Sequence, residues 1–254
     1  MVKKLECNYK IINSEGVTKM KRLPVMDEVI NKHSQRICDK LVKKLKEEGN
    51  TEALELFNEY KNDKKRFHDF GGGFINIILG YVQKYGGDEV VWKNMQDYAR
   101  YGYPPFINKY IEALEKGEAG PEDFPLEEFL INRAKVWEKN HDNLMRWEED
   151  DEKVTLTLDP CESGGQVVRD TPAEKIAGTG EAHTWCYNKK GFPIYCLNCT
   201  TMWEFGWYEW FGWPIIIFEV PEIGSKGKCV HTIYKDPKKI PDSYYKKRGL
   251  KRKV

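Results

Sequence analysis

The sequence predicts an α+β protein, in which a helical N-terminal layer packs on a C-terminal antiparallel-sheet α+β unit that carries a cysteine-rich metal site. Three observations predict this class. Apolar residues recur at helical spacing through residues 25–150. Beyond residue 150 the pattern changes to the two-residue alternation of strands. Five of the seven cysteines lie beyond residue 160.

Glycine and proline divide the helical region into separate predicted helices. These helices cover 24–49, 51–70, 74–87, 88–102, 104–120 and 125–147. Thr51 and Asp88 are candidate N-caps, and Gly49 is the expected end of the first helix. The triple glycine at 71–73 is expected to interrupt or end the second helix, and the uncharged segment that follows it is expected to be buried.

The C-terminal region begins with a predicted half-buried strand, in which Val154, Leu156 and Leu158 alternate with threonine. The elements predicted after it are a turn at 161–165, a long loop at 166–191, a helix at 200–212 and strands at 213–220 and 228–236. Trp203, Trp207 and Trp210 share one face of that helix. A loop of this length is usually functional or held by a metal.

The chain is therefore expected to have a mainly helical region at 1–150, a metal-binding α+β region at 151–240 and a basic tail in solvent at 241–254. Lys and Arg total 41 against 40 Asp and Glu, so the balance of charge favours neither nucleic acid nor a membrane surface as a partner. Apolar runs are far shorter than the ~20 residues of a membrane span. No apolar segment follows the first lysines, so a cytoplasmic location is expected.

The cysteines and one histidine form the clearest motif. Cys196 and Cys199 have the Cys-x-x-Cys spacing that lets two thiolates bind one metal around a tight turn. Cys161, in the glycine-rich turn, and His183, in the long loop, would complete a Cys₃His set. This set suits zinc, and iron or an iron–sulfur cluster is the alternative.

Three further side chains are alternative ligands: Cys186, Cys229 and His231. Cys229 alternates along a predicted strand, which favours a core position, since free cysteine is often simply buried. A closed set of four ligands would make the metal structural. If only three cysteines bind the metal, one position stays open for water or substrate, as in catalytic sites.

Three residues are candidates for proton transfer or for orienting it. His183 would act in this way if it is not a ligand. His141 lies four residues after Trp137 on one helical face, so it is a candidate base or ligand. Asp159, close to Cys161, is a candidate partner that orients His183.

The C-terminal third resembles two families. Its features are the Cys161 turn, the Cys196-x-x-Cys199 pair, a helix with Phe205-Gly206, an apolar strand with Glu219, and "GSKGKCVHTIY". Their order is similar to the metal-binding small-molecule domains of the 4-vinyl reductase type and to the L-2-amino-thiazoline-4-carboxylic acid hydrolase family. The first resemblance implies zinc bound by late cysteines, to which Cys161, Cys196 and Cys199 correspond, with Cys229 as the final strand cysteine. "GYVQKYGGDEVV" resembles the tyrosine-glycine-acidic segment of the hydrolases.

The sequence thus predicts a metal-dependent enzyme that acts, most simply by hydrolysis, on a small organic molecule, aromatic or heterocyclic. Zinc would polarise the substrate or lower the pKa of a bound water. The alternative is a small-molecule-binding or sensor module with a structural zinc. A third interpretation is an interaction protein whose zinc only holds the long loop in place.

Overall fold

The computed structural model describes residues 23–33, 37–141 and 143–254. The helices are α1 Met26–His33, α2 Ile37–Glu47, α3 Thr51–Gly102, α4 Pro105–Lys116, α5 Leu126–His141, α6 Gly164–Asp170, α7 Leu197–Thr200, α8 Gly206–Phe211 and α9 Asp242–Arg248. The strands are β1 Met145–Glu149, β2 Lys153–Leu158, β3 Ile217–Glu219 and β4 Cys229–Tyr234. The fold is therefore α+β, as predicted. The N-terminus, on which the expectation of no secretory signal rests, lies outside the described residues, as do residues 34–36 of the first predicted helix.

The four strands form one antiparallel sheet in the order β1-β2-β4-β3. The alternation that predicted β2 is confirmed, since Val154, Leu156 and Leu158 are all buried. β4 also alternates as predicted and buries Cys229, His231 and Ile233. The apolar run at 213–220 is shorter as a strand than predicted, because only Ile217–Glu219 pairs with β4.

The long helix α3 differs from the prediction. It runs through the triple glycine without interruption and is capped by Asn50, whose side chain accepts from the Ala53 amide, rather than by Thr51. Each helical glycine costs only about 1 kcal/mol relative to alanine, which packing can offset. Gly72 is buried, and a Cβ there would lie 3.7 Å from Val167 of α6. The helix is instead kinked at Gly87, where the backbone turns to φ 79° and ψ 175°.

Two further boundaries were predicted wrongly. α5 ends at His141, not near Trp147, because residues 145–149 pair with β2 and bury Met145 and Trp147. The predicted loop at 166–191 begins as the short helix α6, which buries Val167 and Val168. The remainder of that segment contains short 3₁₀ turns and one residue, Gly178, that forms an isolated β-bridge with Pro193.

The predicted helix at 200–212 starts earlier, as a continuous helical segment at 194–211. It begins with a 3₁₀ turn, passes through α7 and the π-helical stretch Thr201–Phe205, and ends with α8. The shared tryptophan face is confirmed, because Trp203, Trp207 and Trp210 all contact the ring of Tyr103. The Cys-x-x-Cys pair therefore lies in the first turns of a helix and not in a separate knuckle.

The main core lies between one side of the sheet and the helices α1, α4, α5 and 194–211. A second cluster joins the end of α3 to the 185–197 segment through stacked Trp92 and Trp185. The basic C-terminus is not a tail in solvent at 242–248, because α9 buries Tyr244 and Tyr245 against the helix 194–211. Within the described residues, no helix has the length and apolarity that a membrane span requires.

Candidate functional site

Four cysteines line one cavity at the end of the sheet: Cys161, Cys196, Cys199 and Cys229. Cys229 is the first residue of β4 and pairs with Leu158, the last residue of β2. Cys161 follows three residues later and donates its amide to the Gly227 carbonyl at 2.8 Å. The sheet therefore brings two thiols to one edge, and the start of the helix 194–211 contributes the other two.

Two glycines allow the Cys161 segment to approach these neighbours. A Cβ on Gly164 would lie 2.7 Å from the Cys196 sulfur. A Cβ on Gly165 would lie 2.2 Å from the Gly227 carbonyl oxygen and 2.7 Å from the Cys161 Cβ. The "SGG" sequence after Cys161 therefore serves close packing between the cysteine-bearing segments.

All four thiols are reduced, and burial raises their pKa values. Burial raises the pKa of Cys161 to about 11, although backbone amides of Gly165 and Ser163 that hydrogen bond to its sulfur oppose the rise. The thiols of Cys161 and Cys199 raise the pKa of Cys196 further. Because each thiolate disfavours its neighbours, the cluster favours a bound cation that neutralises several of them at once.

Arg133 of α5 lies beside these thiols with only 6% of its surface exposed. It hydrogen bonds to Cys199, which opposes the rise that burial causes in the pKa of that thiol. Its Nε and Nη2 atoms have no hydrogen-bond partner, and no carboxylate in the described ranges forms an ion pair with it. The guanidinium lies 5.3 and 5.5 Å from the ring centroids of Trp137 and Trp203. A buried cation in this setting requires negative charge nearby.

His231 of β4 lines the same cavity and is 1% exposed. Burial, and secondarily the charge of Arg133, lowers its pKa well below the usual value, so its imidazole is neutral. Neither ring nitrogen has a hydrogen-bond partner within the described chain. The cavity itself encloses about 20 Å³, enough for one water-sized group.

The three predicted proton-transfer residues lie elsewhere or face other partners. His183 is not among the residues that line the cavity; its Nε2 is 2.9 Å from Asp88 and its ring stacks on Trp185. The carboxylates that contact His183 are thus Asp88 of α3, at 2.9 Å, and its neighbour Glu89, at 3.9 Å, whereas Asp159 is exposed. His141 is partly buried with its ring against Trp137 at 4.8 Å. The structure therefore does not bring these residues together with the cysteines.

Cys186, one of the alternative ligands, is also outside this cavity. Its sulfur accepts from the His183 amide at 3.1 Å and lies 3.2 Å from the Lys189 carbonyl. These contacts close the 183–189 turn, so the thiol has a local structural role.

The sequence pattern favoured a core position for Cys229, with a ligand role as the alternative, and did not single out Arg133. The sequence does contain a pattern that indicates a buried position for Arg133. This residue lies three residues after Leu130 and four before Trp137, on the apolar face of α5. A signal for Cys229 is the Cys-x-His alternation at the start of β4. Their meeting with Cys161 and the Cys-x-x-Cys pair depends on sheet register, which the sequence does not specify.

The side chains in the described ranges contain no group of three or more His, Cys, Asp or Glu that is already arranged to hold a metal ion. The four thiols share a cavity, and coordination would require their side chains to rotate toward one point. The resemblance to the reductase-type and hydrolase families stays a prediction. Comparison of the chain with protein-family models, with curated proteins and with solved structures gives no match.

Proposed function

We propose that this chain is a metal-binding protein whose centre is held by Cys161, Cys196, Cys199 and Cys229. One observation carries the proposal: four reduced thiols, three of them buried and that of Cys199 partly buried, line a single cavity beside a buried arginine that has no carboxylate partner in the described chain. Four thiolates around one divalent ion carry a net charge of about −2, which Arg133 would partly neutralise. Neutral thiols would leave that guanidinium uncompensated.

Zinc is the metal we expect, because four thiolates form the closed tetrahedron of structural zinc sites. An iron–sulfur cluster uses the same ligands and is the alternative. His231 and the amides of Ser163 and Gly165 would support the ligands through hydrogen bonds to sulfur. The set differs from the predicted one in replacing His183 with Cys229.

The proposed centre favours a structural role over hydrolysis. A catalytic zinc keeps one position open for water, whereas four thiolates fill the coordination shell. Small-molecule sites usually enclose about 300–1,000 Å³. The cysteine-lined cavity, at about 20 Å³, is too small for an aromatic or heterocyclic substrate. The structural-zinc alternative therefore agrees better with the geometry than the hydrolase, and the centre would join the sheet to the helix 194–211.

Metal analysis of anaerobically purified protein tests the proposal. We expect one zinc per chain in the unaltered protein, or iron with visible absorption if the centre is a cluster. Cys199→Ser and Cys229→Ser should each lower the metal content and the melting temperature. Cys186→Ser is the control for metal content, because this thiol is fully buried but lies outside the cavity.

His183→Ala separates the two ligand sets. The proposed four-cysteine centre keeps its metal in this variant, whereas the Cys₃His set loses it. A metal-free wild-type protein, or full metal content after loss of both Cys199 and Cys229, would contradict the proposal.

A further inference from the structure

The middle of α3 presents an apolar surface, the α3 stripe, formed by Phe70, Phe74, Ile77, Ile78, Tyr81 and Tyr85. These side chains are between 44% and 76% exposed. Phe70 stacks on Phe74 and Tyr81 stacks on Tyr85, with nearly parallel rings in both pairs. The segment was predicted to be buried, and in the described part of the chain nothing covers this face.

The orientation of α3 is set by the opposite face, which is the more polar one. Asn76 is 2% exposed; its Nδ2 donates to the Lys175 carbonyl at 2.8 Å, and its Oδ1 accepts from the Ala177 amide at 2.9 Å. At Gly80, a Cβ would lie 3.5 Å from that of Ala177. The helix therefore turns asparagine, glycine and the partly buried Leu79 and Val82 toward the protein body, and turns the apolar side chains of the stripe away from it. A helix that also carries a large apolar surface on its outer face is typical of one with a second partner.

The spacing of the stripe is symmetrical about its centre. From Phe70 to Tyr85 the steps are 4, 3, 1, 3 and 4 residues, so a point between Ile77 and Ile78 divides the stripe into matching halves. When two such helices pair antiparallel about a two-fold axis at this point, Phe74 meets Tyr81 of the second copy, and Phe70 meets Tyr85. Closed two-fold interfaces are self-complementary in this way.

Charge and area agree with this pairing. Lys84 is the only charged residue between Phe70 and Tyr85, and in the antiparallel pair it would face Gly71 of the second copy, so no like charges meet. From the exposed fractions, the stripe offers roughly 600–700 Å² per copy. A standard stable interface buries about 800 Å² per partner, and the stripe supplies most of that area.

We propose that the α3 stripe is a homodimer interface, in which two copies of this chain pair their α3 helices antiparallel about an axis between Ile77 and Ile78. The proposal is independent of the metal centre, because none of the cysteines that line the cavity belongs to α3.

Sedimentation velocity over roughly 1–100 µM of the full chain tests the proposal. We expect a concentration-dependent dimer for the wild type. The double variant Ile77→Glu/Ile78→Glu places four carboxylates at the axis and should raise the dimer Kd at least about 100-fold. Leu144→Glu, which alters a 53% exposed leucine outside the stripe, should leave the Kd unchanged. Circular dichroism checks that each variant is folded.

Cysteine cross-linking tests the antiparallel register. Under oxidation, two copies of the Ile78→Cys variant should form a disulfide with each other. Two copies of the Phe74→Cys variant should not, but this variant should form a disulfide with the Tyr81→Cys variant when the two are mixed. The unaltered chain is the control for cross-links between native thiols. A wild type that stays monomeric throughout, a dimer that survives the Ile77/Ile78 change, or a monomer that instead binds lipid vesicles through the stripe would overturn the proposal.

Discussion

At the scale of single residues, the buried Arg133 is the strongest argument for negative charge beside the cysteine-lined cavity. The apolar face of α5 places it in the core, where rings of Trp137 and Trp203 and the thiol of Cys199 surround it. Leaving a buried guanidinium without negative charge is costly. In the proposed metal centre, the negative charge of the neighbouring thiolates would compensate this guanidinium.

Replacing Arg133 with methionine should weaken metal binding, because it removes the cation that offsets the negative charge of the thiolates while retaining apolar volume. Loss of a supporting group beside a metal site typically lowers affinity about 10–100-fold. Competition with a chromophoric zinc chelator measures the change. Arg146→Met is the control, since that side chain is 63% exposed on β1. Equal affinity in both variants would show that Arg133 has no influence on the centre.

At the scale of elements, the kink in α3 determines what the helix contacts. After Gly87 turns the chain, the Asp88 carboxylate accepts the amides of Gly180 and Glu181 at 2.9 and 2.8 Å and contacts the His183 ring. These bonds hold the 180–183 segment against the helix. The sequence suggested Asp88 as a helix cap, whereas its carboxylate accepts from Gln83 of the same helix and otherwise contacts the distant 180–183 segment.

Gly87→Ala should destabilise the protein although nothing lies within 4 Å of the missing Cβ. The backbone at φ 79° and ψ 175° lies in a region that is nearly exclusive to glycine, so an L-side chain there costs about 1–3 kcal/mol. Urea unfolding measures the free energy of unfolding. Gly73→Ala is the matched control: it is helical, also has open space, and should stabilise by about 0.5–1 kcal/mol. The same sign for both variants would contradict this account.

At the scale of the whole molecule, Glu204 connects three parts of the chain. It lies fully buried in the π-helical stretch, accepts from the Tyr187 and Tyr244 hydroxyls and the Phe218 amide, and lies 3.5 Å from Arg248. Burial raises its pKa from 4.5 to about 7, and the nearby Arg248 and its hydrogen bonds limit the rise. The basic C-terminal segment is thus held against a buried acidic residue through Tyr244 and Arg248.

This shift predicts a pH dependence of stability. The native state keeps the Glu204 proton up to about pH 7, whereas the unfolded chain releases it near 4.5. The stabilisation is therefore complete below about pH 4.5 and is lost as pH rises through 7, by at most about 3 kcal/mol. Urea unfolding at pH 5 and pH 8, taken as approximate ends of the window, should show this loss. The Glu204→Gln variant should no longer show this pH-dependent loss of stability. The Glu219→Gln variant, changed at an exposed strand position, should still show it.

Features that depend on contacts between residues close in sequence were predicted correctly, and features that depend on residues far apart in the chain were not. Alternation in β2 and β4 and the tryptophan face of the 194–211 helix depend on neighbours a few residues away, and both were predicted correctly. The end of α5 and the continuity of α3 through its glycines depend on partners far along the chain. Pairing with β2 converts 145–149 to strand, and packing on Val167 favours helix at Gly72.

The same distinction holds for the candidate site. The sequence by itself determined the α+β class and singled out Cys161, Cys196 and Cys199, because class and motif are local properties of pattern and spacing. Only the tertiary structure decided that Cys229 and Arg133 join them and that His183 contacts Asp88 instead. Sheet register and helix docking bring these residues together, and both are set by packing between segments that are distant in the chain.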